Sequence, residues 1–362
     1  MLERFKVPPG EEVRVPEASL RATVTAIFEK MGVPPQDAAA GADVLVMTDL
    51  RGVETHGVSN MLRNYIEAYK ENRLNPRPTW RIVRETPATA TIDGDGGLGI
   101  ILGAPAMKLA IEKARNVGMG AVTMYNTGHM GAIGHFAMMA AKEDMVGVCM
   151  TALSIRVAPT FSSQAILGTN PIAIAAPAKS EPTFLFDAAT STIAENKLGL
   201  AARVGAKLLP GWVSDAEGRP ATTEIPVPKR GEYALLPLGS TREMGSHKGY
   251  GLAMMVEVLT TMLAGTLPQI LLPVSRARSH FAAYNISAFT DPDTFKENLD
   301  SLLKTLRTTK PAPGHDRVLY PGLPEYEEEQ ERRANGIPLH KEVIQWFDDI
   351  TGELSIPPLQ RM

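Results

Sequence analysis

The clearest indication of the fold is the stretch Thr89-Ala90-Thr91-Ile92-Asp93-Gly94-Asp95-Gly96-Gly97-Leu98-Gly99. The first five residues have the composition of a β-strand, and the glycines match the G-x-G-x-x-G pattern of a dinucleotide-binding turn. In the Rossmann fold this turn needs an acidic residue at the end of the next strand. The next predicted strand ends at Met124-Tyr125-Asn126 without an acid, and Glu112 lies inside the intervening helix. A glycine-rich connection between strand and helix explains the pattern equally well, and we expect this rather than the classical Rossmann site.

Patterns on both sides of this stretch predict an α/β protein. Before residue 80 the apolar spacing is helical, and Pro76-Arg77-Pro78 closes that region. After residue 80, β-rich runs alternate with helices. The predicted helices cover residues 20–31, 36–48, 59–70, 104–116, 132–142, 252–263, 291–306 and 325–334, and the predicted strands cover 89–93, 120–124 and 146–151.

Composition argues against several classes of partner. The 362 residues are 44% hydrophobic and 21% charged, and the formal net charge of −3 offers no attraction to nucleic acid or an anionic membrane. The apolar stretch 252–263 is too short to span a bilayer, and residues 1–6 lack the apolar core of a signal peptide. We therefore expect a soluble cytoplasmic protein. No histidines or carboxylates show metal-ligand spacing, so no metal is expected.

Five separated segments place a proton-transfer or hydrogen-bonding side chain beside glycine or another small residue. Such neighbours are needed where backbone approaches a ligand closely, so the pattern predicts an enzyme pocket assembled from distant segments. The segments are Thr55-His56-Gly57, Gly128-His129-Met130-Gly131, Leu167-Gly168-Thr169-Asn170-Pro171, Asp187-Ala188-Ala189-Thr190-Ser191 and Ser246-His247-Lys248-Gly249-Tyr250-Gly251.

Together these segments resemble the type 2 malate/L-lactate dehydrogenase family, whose relatives include ureidoglycolate, sulfolactate and piperideine-carboxylate oxidoreductases. The resemblance covers nearly the whole chain, from Asp49-Leu50-Arg51-Gly52-Val53-Glu54-Thr55-His56-Gly57 to Gly336-Ile337-Pro338-Leu339. It implies a non-Rossmann NAD(P)-binding α/β fold with a mixed sheet and helical N- and C-terminal regions. Residues 81–275 would form the central α/β domain for cofactor binding and catalysis. Residues 1–80 and 276–362 would form a mainly helical domain carrying part of the substrate site.

The resemblance also implies roles for two histidines. An imidazole titrates near neutrality, so it can give a proton to a forming alkoxide and take it back in the reverse reaction. His129 occupies the family position of this general acid/base. His56 occupies the position of a residue that lines the substrate pocket and orients the substrate, although a helix-capping or packing role is the alternative. Thr190, after Asp187, continues the same loop and is a candidate substrate contact.

The family match assigns several residues to the cofactor. Lys248 stands at the predicted start of a helix, where a bound anion gains from backbone N–H groups and the positive end of the helix dipole. The match does not distinguish NAD from NADP. The candidate cofactor contacts are His247, Lys248, Gly249, Asp187, Ala188, Ala189, Asn170, Gly322, Leu323 and Pro324.

This chain departs from the family near His56. The family places an arginine four residues after this histidine and a tyrosine eight after it, but here Asn60 and Asn64 stand at those positions. Asparagine cannot supply the charge or the two-pronged geometry with which arginine holds a carboxylate. We hypothesise that Arg63 or Arg156 takes over anion recognition, with Asn60 as a remaining polar contact, or that the substrate is not a simple 2-oxo acid.

The expected activity is that of an NAD(P)-dependent oxidoreductase acting on CH–OH, which interconverts a 2-hydroxy acid and a 2-oxo acid. Two alternatives remain open: reduction of a cyclic imino acid, and a non-catalytic protein that binds NAD(P). The resemblance further implies a homodimer with its sites near the subunit interface.

Overall fold

The computed structural model describes residues 3–362; Met1 and Leu2, part of the segment inspected for a signal sequence, lie outside the described residues. Ten α-helices occur in this described part, and α7 continues into a π-helical turn over Val258–Met262. The helices are α1 Glu17–Lys30, α2 Pro35–Leu50, α3 Val58–Lys70, α4 Gly99–Val117, α5 Gly134–Ala141, α6 Asn196–Arg203, α7 Ser246–Glu257, α8 Pro292–Thr308, α9 Leu323–Asn335 and α10 Lys341–Leu354.

Eleven strands in the same residues form one large and two small sheets. The large sheet has the order β2-β3-β4-β10-β5-β6-β7, and only the β3–β4 pair in it is parallel. The small sheets pair β1 with β11 and β8 with β9. The strands are β1 Glu12–Val15, β2 Arg81–Glu85, β3 Thr89–Asp93, β4 Met119–Thr127, β5 Met145–Ala152, β6 Ile172–Ala176, β7 Phe184–Ala188, β8 Val213–Ser214, β9 Ala234–Leu235, β10 Ala277–Asn285 and β11 Ile337–His340.

The strand directions bring the predicted site segments to one edge of the large sheet. The C-terminal ends of β4, β5 and β7 meet the N-terminal ends of β10 and β6 there, because Thr127 pairs with Ala277 and Ile172 with Ala188. His129 follows β4 and Arg156 follows β5 at this edge. Segments that are far apart in sequence therefore become neighbours through antiparallel pairing.

The structure confirms a mixed α/β fold and finds each predicted helix and strand, with somewhat different ends. It differs from the predicted division of the chain at residue 276. β10 begins at the next residue and lies in the middle of the large sheet, between β4 and β5. Residues 276–362 therefore do not belong only to the helical region.

The large sheet and the N-terminal helices share one hydrophobic core, in which Phe28, Leu45, Phe136 and Phe281 are fully buried. Helices α1 and α2 pack on each other, and α2 also contacts α4. The core thereby fixes α2 and the loop after it against the sheet edge that carries the site. No helix within residues 3–362 is long and apolar enough to cross a membrane.

Candidate active site

A buried carboxylate holds the loop that carries His56. Oδ2 of Asp49, at the end of α2, accepts a hydrogen bond of 2.7 Å from the Val58 N–H at the start of α3. Gly57 leaves the space for this contact, since a Cβ there would lie 2.0 Å from Oδ1 of Asp49. Burial raises the pKa of Asp49 to about 7. Asp49 thus caps α3 and fixes the backbone beside His56.

His129 is held through Nδ1. The hydroxyl of Tyr65 lies 2.7 Å from Nδ1, and the N–H of Gly131 donates to the same nitrogen at 3.1 Å. An N–H can only donate, so this second contact favours the tautomer with the hydrogen on Nε2. Tyr65 was missed by the sequence analysis because the family pattern places its tyrosine at position 64. The periodicity of α3 is the signal that could have found it, since Tyr65 lies on the buried face with Met61 and Leu62.

The two predicted catalytic histidines face each other. The rings of His56 and His129 lie nearly parallel, with centroids 5.6 Å apart, and Nδ1 of His56 is 2.8 Å from Oγ1 of Thr55. Burial lowers the pKa of His129 to about 3, and the charge of His56 acts in the same direction. Burial, assisted by the charge of Lys197, lowers the pKa of His56 to about 4. Both rings are therefore neutral in this structure at physiological pH.

Both histidines line a cleft of about 600 Å³ at the sheet edge. Its volume lies in the range of clefts that hold small molecules and cofactors. Loops after β4 and β5, the start of β10, the face of α3 and the segment before α6 contribute the walls. Among the polar lining residues are Asn64, Tyr65, Arg73, Thr151, Ser154, Arg156, Thr169, Glu195, Asn196, Ser275 and Arg276.

The two arginines proposed for anion recognition have different surroundings. Arg156 lines the cleft, but its Nε lies 2.5 Å from a carboxylate oxygen of Glu195, and its Nη1 donates to the Ile155 carbonyl. Arg63 is exposed on the outer face of α3, with its guanidinium 5.5 Å from the ring centroid of Trp346. Arg63 is therefore not among the residues that line the cleft.

Three further residues that were predicted to contact a ligand instead donate hydrogen bonds to other residues of the chain in this structure. The Asn60 amide donates to the Glu54 carbonyl. The Thr190 hydroxyl donates to the carbonyl of Thr169, which itself lines the cleft. Fully buried Asn170 donates from Nδ2 to the Ala253 carbonyl and to Glu257. These side chains support the cleft wall rather than point into it.

A second group of predicted residues lies where the start of α9 meets the first residues of β7. The N–H of Leu185 donates to the Pro321 carbonyl, and a Cβ on Gly322 would lie 2.8 Å from the Leu185 nitrogen. Of the two residues that follow Gly322, Leu323 is buried and Pro324 lies in the first turn of α9. Ala188 and Ala189 continue half-buried from β7.

Asp187 holds the start of α5, which follows the loop that carries His129. Its Oδ2 accepts a 2.7 Å hydrogen bond from Gly134, the first residue of α5, where a carboxylate also favours the helix dipole. The same side chain borders a cavity of about 60 Å³ together with Arg51, His135 and Glu325. That cavity is too small for a nucleotide, so the contact with Gly134 is the role that the geometry supports directly.

The third predicted group begins α7. His247 and Lys248 are exposed, and Gly249 is buried. The backbone of Leu238 comes so close to Gly249 that a Cβ there would lie 2.4 Å from the Leu238 nitrogen. Lys248 has no carboxylate within 4.0 Å among residues 3–362, and it stands in the first turn of a twelve-residue helix. An exposed ammonium group in the first turn of a helix, where the helix dipole is positive, fits a phosphate, so this part of the chain suits a dinucleotide.

The glycine-rich turn before α4 has a packing role. The N–H groups of Gly96, Gly97 and Ile100 donate to carbonyls of Asn126, Gly94 and His129. A Cβ on Gly99 would lie 2.5 Å from the Gly128 carbonyl oxygen. The turn therefore supports the back of the His129 loop. Within residues 3–362, no cluster of His, Cys, Asp or Glu is arranged to hold a metal ion.

Comparison with known proteins identifies similar chains over almost the full length. Residues 15–348 match the model of the malate/L-lactate dehydrogenase family. Malate dehydrogenase of Pyrococcus abyssi is 38% identical, with 96% of this chain and 97% of that protein covered. L-sulfolactate dehydrogenase of Methanocaldococcus jannaschii is 37% identical, with coverage of 91% and 94%. The solved structure of malate dehydrogenase from Pyrococcus horikoshii has a TM-score of 0.89, 35% identity, and coverage of 98% and 99%.

Proposed function

The chain belongs to the malate/L-lactate dehydrogenase family, and from this membership we propose that it interconverts a 2-hydroxy acid and a 2-oxo acid, with His129 as the general acid/base. It is an oxidoreductase acting on CH–OH, and dehydrogenases of this family use NAD(P). The observation that supports the role of His129 is its position: the ring lines the large cleft beside His56, and its Nδ1 is held by Tyr65.

The surroundings of His129 suit proton transfer in both directions. In the tautomer that Gly131 favours, Nε2–H can hydrogen-bond a carbonyl oxygen of the substrate. To give that oxygen a proton, the ring must first be the doubly protonated imidazolium, which then returns to neutral imidazole. The Tyr65 hydroxyl can donate to bare Nδ1 or accept from Nδ1–H, so it also supports the tautomer in which Nε2 takes a proton from a hydroxyl group. Burial keeps the resting ring neutral, which leaves one nitrogen free to act as the base.

The reaction also requires that the substrate be held in the correct orientation. His56, anchored by Thr55, would hydrogen-bond a polar group of the substrate through Nε2. Bound NAD(P) supplies or accepts the hydride. Lys248 with His247 and Gly249, together with Asp187 to Ala189 and Gly322 to Pro324, would hold the dinucleotide. We propose that it binds away from the glycine-rich turn, where the N–H groups of Gly96, Gly97 and Ile100 already have carbonyl partners.

We also propose that the protein forms a homodimer through an apolar surface on the second half of α7 and the residues that follow it. This surface exposes an unusual number of large apolar side chains, and monomers rarely leave such a patch open to water. It continues to Val274, which lines the cleft, so the interface would border the active site. Its exposed members are Leu252, Met254, Met255, Val258, Met262, Leu263, Leu267, Ile270, Leu271 and Val274.

The function is tested by incubating the purified protein with NADH or NADPH and a panel of substrates. The panel contains pyruvate, oxaloacetate, 2-oxoglutarate, sulfopyruvate and a cyclic imino acid, and the loss of reduced-nicotinamide absorbance is followed. The proposal predicts turnover of at least one 2-oxo acid. Turnover of the imino acid alone would assign an imine reductase. Binding of NAD(P)H without turnover of any panel member would indicate a non-catalytic protein.

A further inference from the structure

The cleft lacks the arginine that the family places four residues after His56, so another group must hold a substrate carboxylate. A carboxylate brought into a partly buried cleft needs a positive partner or several hydrogen-bond donors. Three arginines line the cleft: Arg73, Arg156 and Arg276. Their surroundings differ enough to separate them.

Two of the three already have carboxylate partners. Nε of Arg73 lies 2.5 Å from Oε2 of Glu71, and the Arg73 side chain is 58% exposed. Nε of Arg156 lies 2.5 Å from Oε1 of Glu195, which lines the same cleft. A substrate carboxylate near Arg156 would approach the negative charge of Glu195 as well. Neither residue offers an uncompensated positive charge.

Arg276 differs in this respect. No Asp or Glu among residues 3–362 lies within 4.0 Å of its guanidinium. Nη1 donates to the backbone carbonyl of Arg73, and the Arg276 N–H donates to Oε1 of Gln269. These two contacts fix the residue at both ends, and among residues 3–362 neither Nη2 nor Nε has a protein hydrogen-bond partner. The side chain is half-buried, so the charge is partly shielded from water.

The position of Arg276 links it to the catalytic histidine. Arg276 immediately precedes Ala277, which pairs with Thr127 on β4, and His129 follows Thr127 by two residues. Nη2 also lies 3.8 Å from the place of a Cβ on Gly96, in the turn that supports the His129 loop. The guanidinium is therefore carried by the residue immediately before β10, the strand that pairs with the one leading to His129.

We propose that Arg276 binds the carboxylate of the 2-oxo acid and so takes the place of the missing family arginine. This inference rests on the proposed function, because it assumes a substrate with a carboxylate beside the reacting carbon. A guanidinium matches a carboxylate through two parallel N–H···O bonds, and such pairs supply geometry as well as charge. The same group could instead meet a phosphate of the cofactor, and the experiment separates these two sources of the anion.

The experiment compares wild type with Arg276→Gln and Arg276→Lys, and uses Arg115→Gln, a surface arginine paired with Glu143, as the control. Steady-state kinetics with the panel acid that wild type turns over best give KM for the acid. Fluorescence titration gives Kd for NADH and NADPH. We expect Arg276→Gln to raise KM for the acid roughly 10- to 100-fold. Arg276→Lys should recover part of this loss, and the Kd of the cofactor should stay within about twofold of wild type.

Three results would overturn the assignment. The first is an unchanged KM for the acid in a folded Arg276→Gln variant. The second is a weakened cofactor Kd with normal KM for the acid, which would assign Arg276 to a phosphate. The third is a change of oligomeric state on gel filtration, which would assign the guanidinium to a carboxylate of a second copy.

Binding of oxamate, a non-reacting analogue of a 2-oxo acid, keeps the test independent of turnover. If wild type reduces no panel acid, the proposed function fails, and titration calorimetry with oxamate and NADH then decides the role of Arg276. Binding to wild type but not to Arg276→Gln supports the carboxylate site. Equal binding, or no binding to either protein, contradicts it.

Discussion

The hydroxyl of Tyr65 lies 2.7 Å from Nδ1 of His129, so a residue of α3 orients the imidazole at the end of β4. Tyr65 is buried, and the energy of a hydrogen bond between buried groups is about 1 kcal/mol. We expect Tyr65→Phe to lower kcat about 5- to 10-fold and to change the pH profile of kcat, with little effect on the Kd of the cofactor. Steady-state kinetics between pH 6 and 9 measure both.

Tyr69→Phe is the matched control for Tyr65→Phe. Tyr69 lies one turn further along α3 and packs edge-on against Phe28, away from His129. Wild-type kinetics are expected for it. If both variants behave like wild type, Tyr65 does not orient the catalytic ring.

The pKa of His129 predicts how stability depends on pH. Its folded pKa of about 3 lies below the unfolded value of about 6.5, so the unfolded chain binds more protons below pH 6.5. The free energy of unfolding therefore falls as the pH drops from 6.5, by about 2 kcal/mol at pH 5 from this group alone. His129→Gln should remove that share of the decline. Urea unfolding at pH 7, 6 and 5 gives the slopes.

Asp49 should act in the opposite direction. Its folded pKa of about 7 lies above the usual value of 3.8, so the folded chain binds the extra proton between these limits. Its contribution to stability is present at low pH and is lost as the pH rises through 7. Asp49→Asn keeps an oxygen for the Val58 N–H, and the stability of the variant should fall more steeply on acidification than that of wild type. An unchanged slope would mean that Asp49 is an ordinary carboxylate, and a shallower fall would mean that its folded pKa is lowered; either result contradicts the raised pKa.

Asp187 should affect both stability and catalysis through α5. Asp187→Ala removes the acceptor of the Gly134 N–H, which is expected to cost about 1 kcal/mol. We also expect kcat to fall several-fold, because the His129 loop leads into this helix end. The control is Asp291→Ala, since the Asp291 carboxylate caps α8 in a comparable way by accepting a hydrogen bond from the Thr294 N–H. That control should lose stability with kcat unchanged; an equal loss of kcat in both variants would point to general destabilisation.

The proposed dimer predicts that a charge on the apolar surface after α7 separates the subunits. Val258→Asp places a carboxylate at a half-exposed position of the π-helical turn, where burial against a second copy would be costly. Light scattering coupled to gel filtration should show a dimer for wild type and a monomer for this variant. Phe289→Asp, at an exposed position outside this surface, should remain dimeric. A wild-type protein that is already monomeric would refute the dimer.

Much of the fold could be predicted from the sequence, but its central strand could not. Regular apolar spacing located α1 and α3 because those helices bury one face, and α2 was located by its Ala-rich apolar run, which is buried over most of its second half. β10 carries Arg278, Ser279 and His280 where a central strand usually carries apolar residues, so no strand pattern marked it. Contacts across the fold pair two of these residues: Ser279 bonds to Thr151, and Nη1 of Arg278 bonds to Gln269. Only the assembled sheet shows those partners.

The histidines of the site could be predicted from the sequence, but the residue that binds the anion could not. Glycine-flanked histidines at 56 and 129 were visible in the sequence, and the structure brings both to one cleft. The anion partner was not visible, because charge compensation depends on contacts across the fold. Arg156 is compensated by Glu195, while Arg276 is not, although both are single arginines in polar surroundings.

The most direct test of the central claim is a single-turnover measurement of His129→Gln and wild type. Enzyme in excess over NADH is mixed with a saturating 2-oxo acid that wild type reduces, and the decay of NADH fluorescence gives the rate of reduction. His315→Gln, at an exposed position, controls for the loss of a histidine. The account predicts a rate roughly 10²- to 10⁴-fold lower in His129→Gln, with NADH affinity retained. A wild-type rate in a folded His129→Gln variant would contradict it.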